Sequence, residues 1–290
     1  MIIILFFFLG GVISVLGGFF GVGGGFILTP ILLLTGFSPL EAITTSLLFT
    51  IGTSISGIIA HFRLKNIVWK DGLILGLSGV AATQFAHPIV LYMEEKGWDD
   101  VVIPVLYAIL LGYFAFSMFR RGKRAKVKKS ESNVKPSVLK TIIIGFAGGF
   151  VSTMLGVGGG FIMVPLLISV LKFEPRKAVG TSLFAVLSIV SVGFLSYAFT
   201  TSFDYRIGLL LIAGGLVGSQ FGAKLTAFYH NYEISQMLSI LYIATLVSVI
   251  LKIVDLNAIG LGLIAIFVML FFIFSFMKIH QKRKESTIPS

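Results

Sequence analysis

The chain has 290 residues, 56% hydrophobic and only 12% charged, with a mean hydropathy of +1.01. A soluble core of this length cannot hide so much apolar surface, so the composition specifies a membrane protein. Net charge is +11 and there is no cysteine, which excludes disulfides, thiol catalysis and iron–sulfur clusters.

Taken in chain order, residues 1–18 read as a short apolar helix. The run lacks a basic n-region and a small-x-small cleavage site, so it is read as part of the mature protein rather than a signal peptide. The glycine turn Gly21-Val22-Gly23-Gly24-Gly25-Phe26-Ile27 follows. A second short helix, 25–36, contains Pro30. Three full-length helices are expected at about 39–61, 68–92 and 101–120. The segment 121–137 is polar and basic and carries Pro136. It adjoins the cluster Arg120, Arg121, Lys123, Arg124, Lys126, Lys128 and Lys129. Five further elements are expected at about 138–154, 160–172, 175–199, 205–228 and 233–252. An extra helix at about 257–278 precedes a second basic cluster, Lys278, Lys282, Arg283 and Lys284.

The second set repeats the first. The glycine turn returns as Gly156-Val157-Gly158-Gly159-Gly160-Phe161-Ile162, 135 positions on, with Pro165 in the place of Pro30. After one inserted residue the offset is 136. It pairs Pro39 with Pro175, Thr45 with Thr181, Ser46 with Ser182, Gly72 with Gly208 and Gln84 with Gln220. The organisation is therefore a first repeat, 1–120; a basic cytoplasmic linker, 121–137; a second repeat, 138–252; an extra transmembrane helix, 253–278; and a cytoplasmic tail, 279–290.

Charge fixes the expected topology. Both basic clusters follow apolar spans, which favours the cytoplasm for each and disfavours nucleic acid as a partner. An even number of crossings must separate them. With four long helices between, each glycine-broken pair crosses an even number of times, either as two spans or as a re-entrant hairpin. The two repeats are then inverted, with the N-terminus outside and the C-terminus cytoplasmic. The alternative treats each pair as one kinked span and gives parallel repeats. The fold class expected is an all-α polytopic integral membrane protein. Each of its inverted repeats holds a glycine-broken short-helix pair and three transmembrane helices, and one extra helix closes the chain.

Glycine breaks duplicated in two halves point to a transporter's substrate site. Glycine permits positive φ and exposes backbone N–H groups, and helix N-termini carry partial positive charge. Gly23, Gly24 and Gly25 with Gly158, Gly159 and Gly160 are therefore candidate anion ligands at a shared cavity. Close helix packing is the competing role for such glycines. Thr45, Ser46, Thr181 and Ser182 sit about two turns into their helices and are candidate donors, or else bond their own helix. Gln84 and Gln220 are amides within apolar helices, read as substrate contacts or as ties between halves. His61, His87, Asp71, Glu41, Glu174, Lys177, Asp204, Arg206 and Lys224 are placed near helix ends. No dyad, nucleophile–base pair or metal-ligand spacing stands out, so no enzyme, cofactor or metal is expected.

The duplicated Gly-x-Gly-Gly-Gly with its proline, followed by Ala178-Val179-Gly180-Thr181-Ser182, resembles the TauE/SafE sulfite exporter family, also called the toluene-sulfonate uptake permeases. The resemblance spans about 10–277, and the first copy departs from it at Thr44, where glycine is expected. It implies secondary transport of a small sulfur-containing or organic anion such as sulfite, thiosulfate or an organosulfonate. Export is the expected direction and alternating access the expected mechanism. A passive anion channel and a non-transporting membrane subunit of a sulfur-metabolism complex stay open as alternatives. The partners expected are the anion and membrane lipid; the residues do not identify a coupling ion, proton or sodium, or an oligomeric state.

Overall fold

The computed structural model describes residues 2–125, 137–201 and 203–286. Among them are eleven α-helices and one 3-10 turn, and no strand. The first half comprises α1 (Ile2–Phe20), α2 (Gly25–Leu34), α3 (Pro39–Arg63), α4 (Trp69–Glu95) and α5 (Asp99–Ala125). The second comprises α6 (Val138–Leu155), α7 (Gly160–Ser169), α8 (Pro175–Ala198), α9 (Tyr205–Leu225) with a 3-10 turn at Thr226–Phe228, and α10 (Asn231–Ile253). The closing helix is α11 (Asn257–Ser286). Eight helices, α3 to α6 and α8 to α11, are long and apolar enough to cross a membrane.

Local chemistry sets the boundaries. Ser38 caps α3 in a capping box with Glu41, and Pro39 opens the helix without wasting an N–H. Asp99 and Asp100 favour the positive end of α5, which therefore starts two residues before the expected 101. α2 and α7 stop short of the predicted 36 and 172. The Thr35 hydroxyl bonds the carbonyls of Ile31 and Leu32, and positive φ at Gly36 and Lys172 turns the chain out of the helix. The predicted linker 121–137 begins inside α5, and residues 126–136, including Lys126, Lys128, Lys129 and Pro136, lie outside the described residues. The predicted tail begins inside α11, which stays helical to Ser286.

Each glycine turn reverses the chain. Met163 packs onto Gly148, where an added Cβ would lie 2.6 Å from its terminal carbon. In one continuous helix these residues would stand about 22 Å apart. Gly24 likewise lies against Gly17. The broken pairs are thus two-armed hairpins and not single kinked spans.

The halves interlock. α1 packs on α9 as α6 packs on α4, α3 on α9 as α8 on α4, and α2 on α3 as α7 on α8. The pairs α3–α8 and α5–α10 join matched helices across the halves. Exchanging the halves maps this set of contacts onto itself. Glycines make the close approaches: Gly11, Gly214 and Gly218 bring α1 and α9 together, and Gly79 and Gly149 do so for α4 and α6. Outward faces carry large apolar side chains such as Leu77, Val217 and Phe276, which suit lipid. Lys278 of α11 pairs with Glu233 of α10 and lies 4.9 Å from the centre of the Tyr229 ring.

His61 lies in the last turn of α3, near the helix end as expected, and is fully buried. Its Nε2–H donates to the Gly18 carbonyl at 3.1 Å, so Nδ1 is the acceptor for the Asn66 amide at 3.2 Å. Tyr197, 136 positions later, donates to the Thr153 carbonyl at 2.9 Å and ties α8 to α6 in the same way.

Candidate functional site at the paired glycine turns

The two turns meet at the centre of the molecule. Gly21 to Gly25 and Gly156 to Gly160 are all buried. Their conformations match: φ is positive at Gly21, Gly23 and Gly24, and at Gly156, Gly158 and Gly159. A Cβ on Gly25 would strike the Gly156 carbonyl, and one on Gly160 the Gly21 carbonyl. Both Gly23 and Gly158 face Thr50 of α3 and Val186 of α8, with Val186 Cγ1 at 3.3 Å from either built Cβ. The turns therefore abut directly, in place of the shared cavity expected between them.

Hydroxyl groups occupy the turn carbonyls. Ser182 donates to Gly21 O at 2.8 Å, Thr53 to Gly23 O at 2.5 Å, and Thr29 to Gly156 O at 3.3 Å. Two of these bonds run from one half to the other. The N–H groups are treated differently. Gly25 N–H donates to Thr50 Oγ1 at 3.1 Å. Among the described residues, the N–H groups of Gly23, Gly24, Phe26, Gly158, Gly159, Gly160 and Phe161 donate to no protein acceptor. Buried backbone donors without partners are rare in native proteins. With the Gly21, Gly23 and Gly156 carbonyls engaged and these donors free, the turns present positive potential, reinforced by the N-termini of α2 and α7. Apart from tyrosines, the buried ionisable side chains among the described residues are His61, Asp71 and Asp99, so no buried lysine or arginine adds to it.

Beyond the turns, Phe26 and Phe161 stack with centroids 5.4 Å apart and planes 18° from parallel. Pro30 and Pro165 lack the N–H that would bond the Phe26 and Phe161 carbonyls four residues earlier. Two fully buried tyrosines supply it instead: Tyr107 donates to Phe26 O at 3.3 Å and Tyr242 to Phe161 O at 2.6 Å. This pair escaped the sequence reading. Two tyrosines 135 positions apart were the available signal, but their partners are carbonyls that only a proline leaves open.

A family model described as sulfite exporter TauE/SafE matches residues 6–249. The chain belongs to that family. A probable membrane transporter protein of Methanocaldococcus jannaschii is 30% identical over 224 residues, covering 73% of this chain and 79% of the relative. One from Bacillus subtilis is 30% identical over 232 residues, covering 78% and 90%. One from Xylella fastidiosa is 26% identical over 245 residues, covering 83% and 92%. No solved structure matches the chain.

In this TauE/SafE protein the predicted residues divide into three groups. Gly23, Gly24, Gly25, Gly158, Gly159 and Gly160 come together as the paired turns. Ser46 and Ser182 lie at the turns, Ser182 bonded to Gly21 and Ser46 buried with no hydrogen-bond partner among the described residues. Thr45 is buried on α3, and Thr181 accepts from the Val68 N–H at 3.0 Å, tying α8 to the start of α4. Among the described residues, Gln84 and Gln220 form no hydrogen bond that ties the halves together. Gln84 is exposed, with its amide 3.2 Å from Thr83 Oγ1, and Gln220 is half-exposed. One residue is a 100° step around a helix, so the buried polar positions at this level are Thr83 and Ser219 instead.

Proposed function

We propose that the protein is a secondary transporter of a small sulfur-containing or organic anion, such as sulfite, thiosulfate or an organosulfonate, with the paired glycine turns as its seat. The observation that carries this is the set of buried N–H donors that no protein group among the described residues accepts, on two abutting turns at the N-termini of α2 and α7. The family's description as sulfite exporters supports both the sulfur oxyanion and the outward direction.

The mechanism proposed is alternating access between inverted halves. Its support is the set of contacts that maps onto itself when the halves are exchanged, and the hairpin reversal that gives each broken pair an even number of crossings. The N-terminus then faces outside and the C-terminus the cytoplasm. An anion held by dipoles alone gains from the N–H groups without the desolvation of a buried cation, and leaves readily when one half rocks away. The direct packing of the turns favours a gated carrier over a continuously open channel.

Proteoliposomes holding the purified protein, assayed with sulfite and with methanesulfonate, test the reading. Flux above empty vesicles, with labelled substrate accumulating transiently by counterflow, is the expected result. Conduction without counterflow indicates a channel. No flux together with a stable co-purifying protein indicates a subunit role.

A further inference from the structure

The loop between α3 and α4 carries a cleft that its counterpart between α8 and α9 does not match in charge. Phe62, Arg63, Lys65, Ile67 and Trp69 line an open space of about 380 Å³. Arg63 and Lys65 are exposed, and among the described residues neither side chain makes an ion pair or a hydrogen bond. The loop itself is firmly held. Lys65 sits at φ +55°, which is uncommon for a residue with a side chain. The Val68 N–H donates to Thr181 of α8 at 3.0 Å, and the Asn66 amide donates to His61 at 3.2 Å. The Trp69 ring meets Phe62 and Phe184 of α8 edge-on, with centroids 5.9 and 5.0 Å away. Exposed apolar side chains lead away from the cleft about one turn apart, Ile55 and Ile59 on α3 and Leu73 and Leu77 on α4. In the second half, 136 positions on, Phe199 stands for Arg63, Thr201 for Lys65 and Asp204 for Val68. The unpaired cations therefore mark one end of the molecule, the end proposed to face the cytoplasm.

We infer that this cleft binds an anionic phospholipid of the cytoplasmic leaflet, with its phosphate on Arg63 and Lys65, its glycerol beside Trp69 and an acyl chain against Phe62 and Leu73. Cations, then an aromatic collar, then an apolar strip repeat the order of groups in such a lipid. A zwitterionic headgroup fits less well, because its ammonium meets the same two cations. A free oxyanion would use the cations and leave Phe62, Trp69 and Leu73 without a partner, so the lipid is the better match. Trp69 packs on Phe184 and Val68 bonds Thr181, so an occupant of the cleft bears on a contact between the two halves. The inference stands apart from what the paired turns carry.

Trp69 and Trp98 are the two tryptophans of the chain, so Trp98→Phe leaves Trp69 as the indole reporter at the cleft. That variant, reconstituted in vesicles, is tested by fluorescence quenching with brominated phosphatidylglycerol and with brominated phosphatidylcholine. Phosphatidylglycerol should be preferred beside Trp69 at least about fivefold, the gain from one juxtamembrane cation. Arg63→Gln combined with Lys65→Gln should bring the ratio to about one. It should melt with the parent in detergent, because neither side chain loses a protein partner. Arg63→Lys combined with Lys65→Arg keeps both charges and should keep the preference. Trp69→Phe leaves Trp98 as the reporter, next to Asp99 and Asp100, and should show no preference for phosphatidylglycerol. Equal quenching by the two lipids at Trp69, or a preference that survives loss of both cations, overturns the site. A preference abolished by inorganic phosphate, but not by chloride at equal ionic strength, assigns the cleft to a free oxyanion and overturns the lipid as its occupant. Anion flux through the paired turns is read separately, so either failure leaves the transport reading untouched.

Discussion

Tyr242→Phe isolates the device that holds α7 at the seat. The hydroxyl donates to the Phe161 carbonyl at 2.6 Å in a fully buried setting, and Pro165 removes the helical donor that would replace it. The variant keeps the ring and leaves a buried acceptor open, which costs about 1–3 kcal/mol. Tyr107→Phe, where the bond is 3.3 Å, should cost less, about 0.5–1.5 kcal/mol. Pro165→Ala restores an N–H four residues after Phe161. In that background Tyr242→Phe should lose most of its effect, giving a coupling of about 1 kcal/mol or more between the two sites. Reversible denaturation of the detergent-solubilised protein, run as a double-mutant cycle, measures it. An equal loss with and without Pro165 would refute the argument that the tyrosine stands in for the missing donor.

Two contrasts extend the account. Gly158→Ala forces a side chain into φ +77° and places its Cβ 2.9 Å from Thr50 Cγ2, so it should cost about 1–3 kcal/mol. Gly262→Ala in α11 meets nothing within 4 Å and should gain about 0.5–1 kcal/mol in the same unfolding assay. Gln84→Leu and Gln220→Leu change exposed or half-exposed positions and should leave sulfite flux within about twofold of the parent.

Much of the architecture was written in the sequence because membrane helices announce themselves by length and apolarity. The glycine heptapeptide and its 135-residue offset revealed the two halves, and the elements fall within about three residues of their predicted limits except at the C-terminal ends of α5 and α11, which run further. The site was legible in part. Gly23, Gly24, Gly158 and Gly159 carry their backbone meaning in their identity, since successive positive φ angles demand glycine, while at Gly25 and Gly160 the facing turn's carbonyl leaves no room for a Cβ. Side-chain roles were less legible because they depend on rotation about a helix. Gln84 and Gln220 drew notice as amides in apolar runs, yet they point away while Thr83 and Ser219 face inward. Thr50 passed unnoticed because repeats draw the eye to matched positions, and here its hydroxyl accepts from the Gly25 N–H where the matched Val186 offers Gly160 nothing.

The central claim is that free N–H groups on the glycine turns hold the anion. Protein labelled with 15N-glycine, titrated with methanesulfonate and followed by amide NMR, addresses those atoms directly. The account predicts saturable downfield proton shifts at Gly23, Gly24, Gly158, Gly159 and Gly160, weaker at Gly25, whose N–H already bonds Thr50. Saturable binding that shifts only glycines away from the turns, such as Gly97 or Gly262, would contradict it.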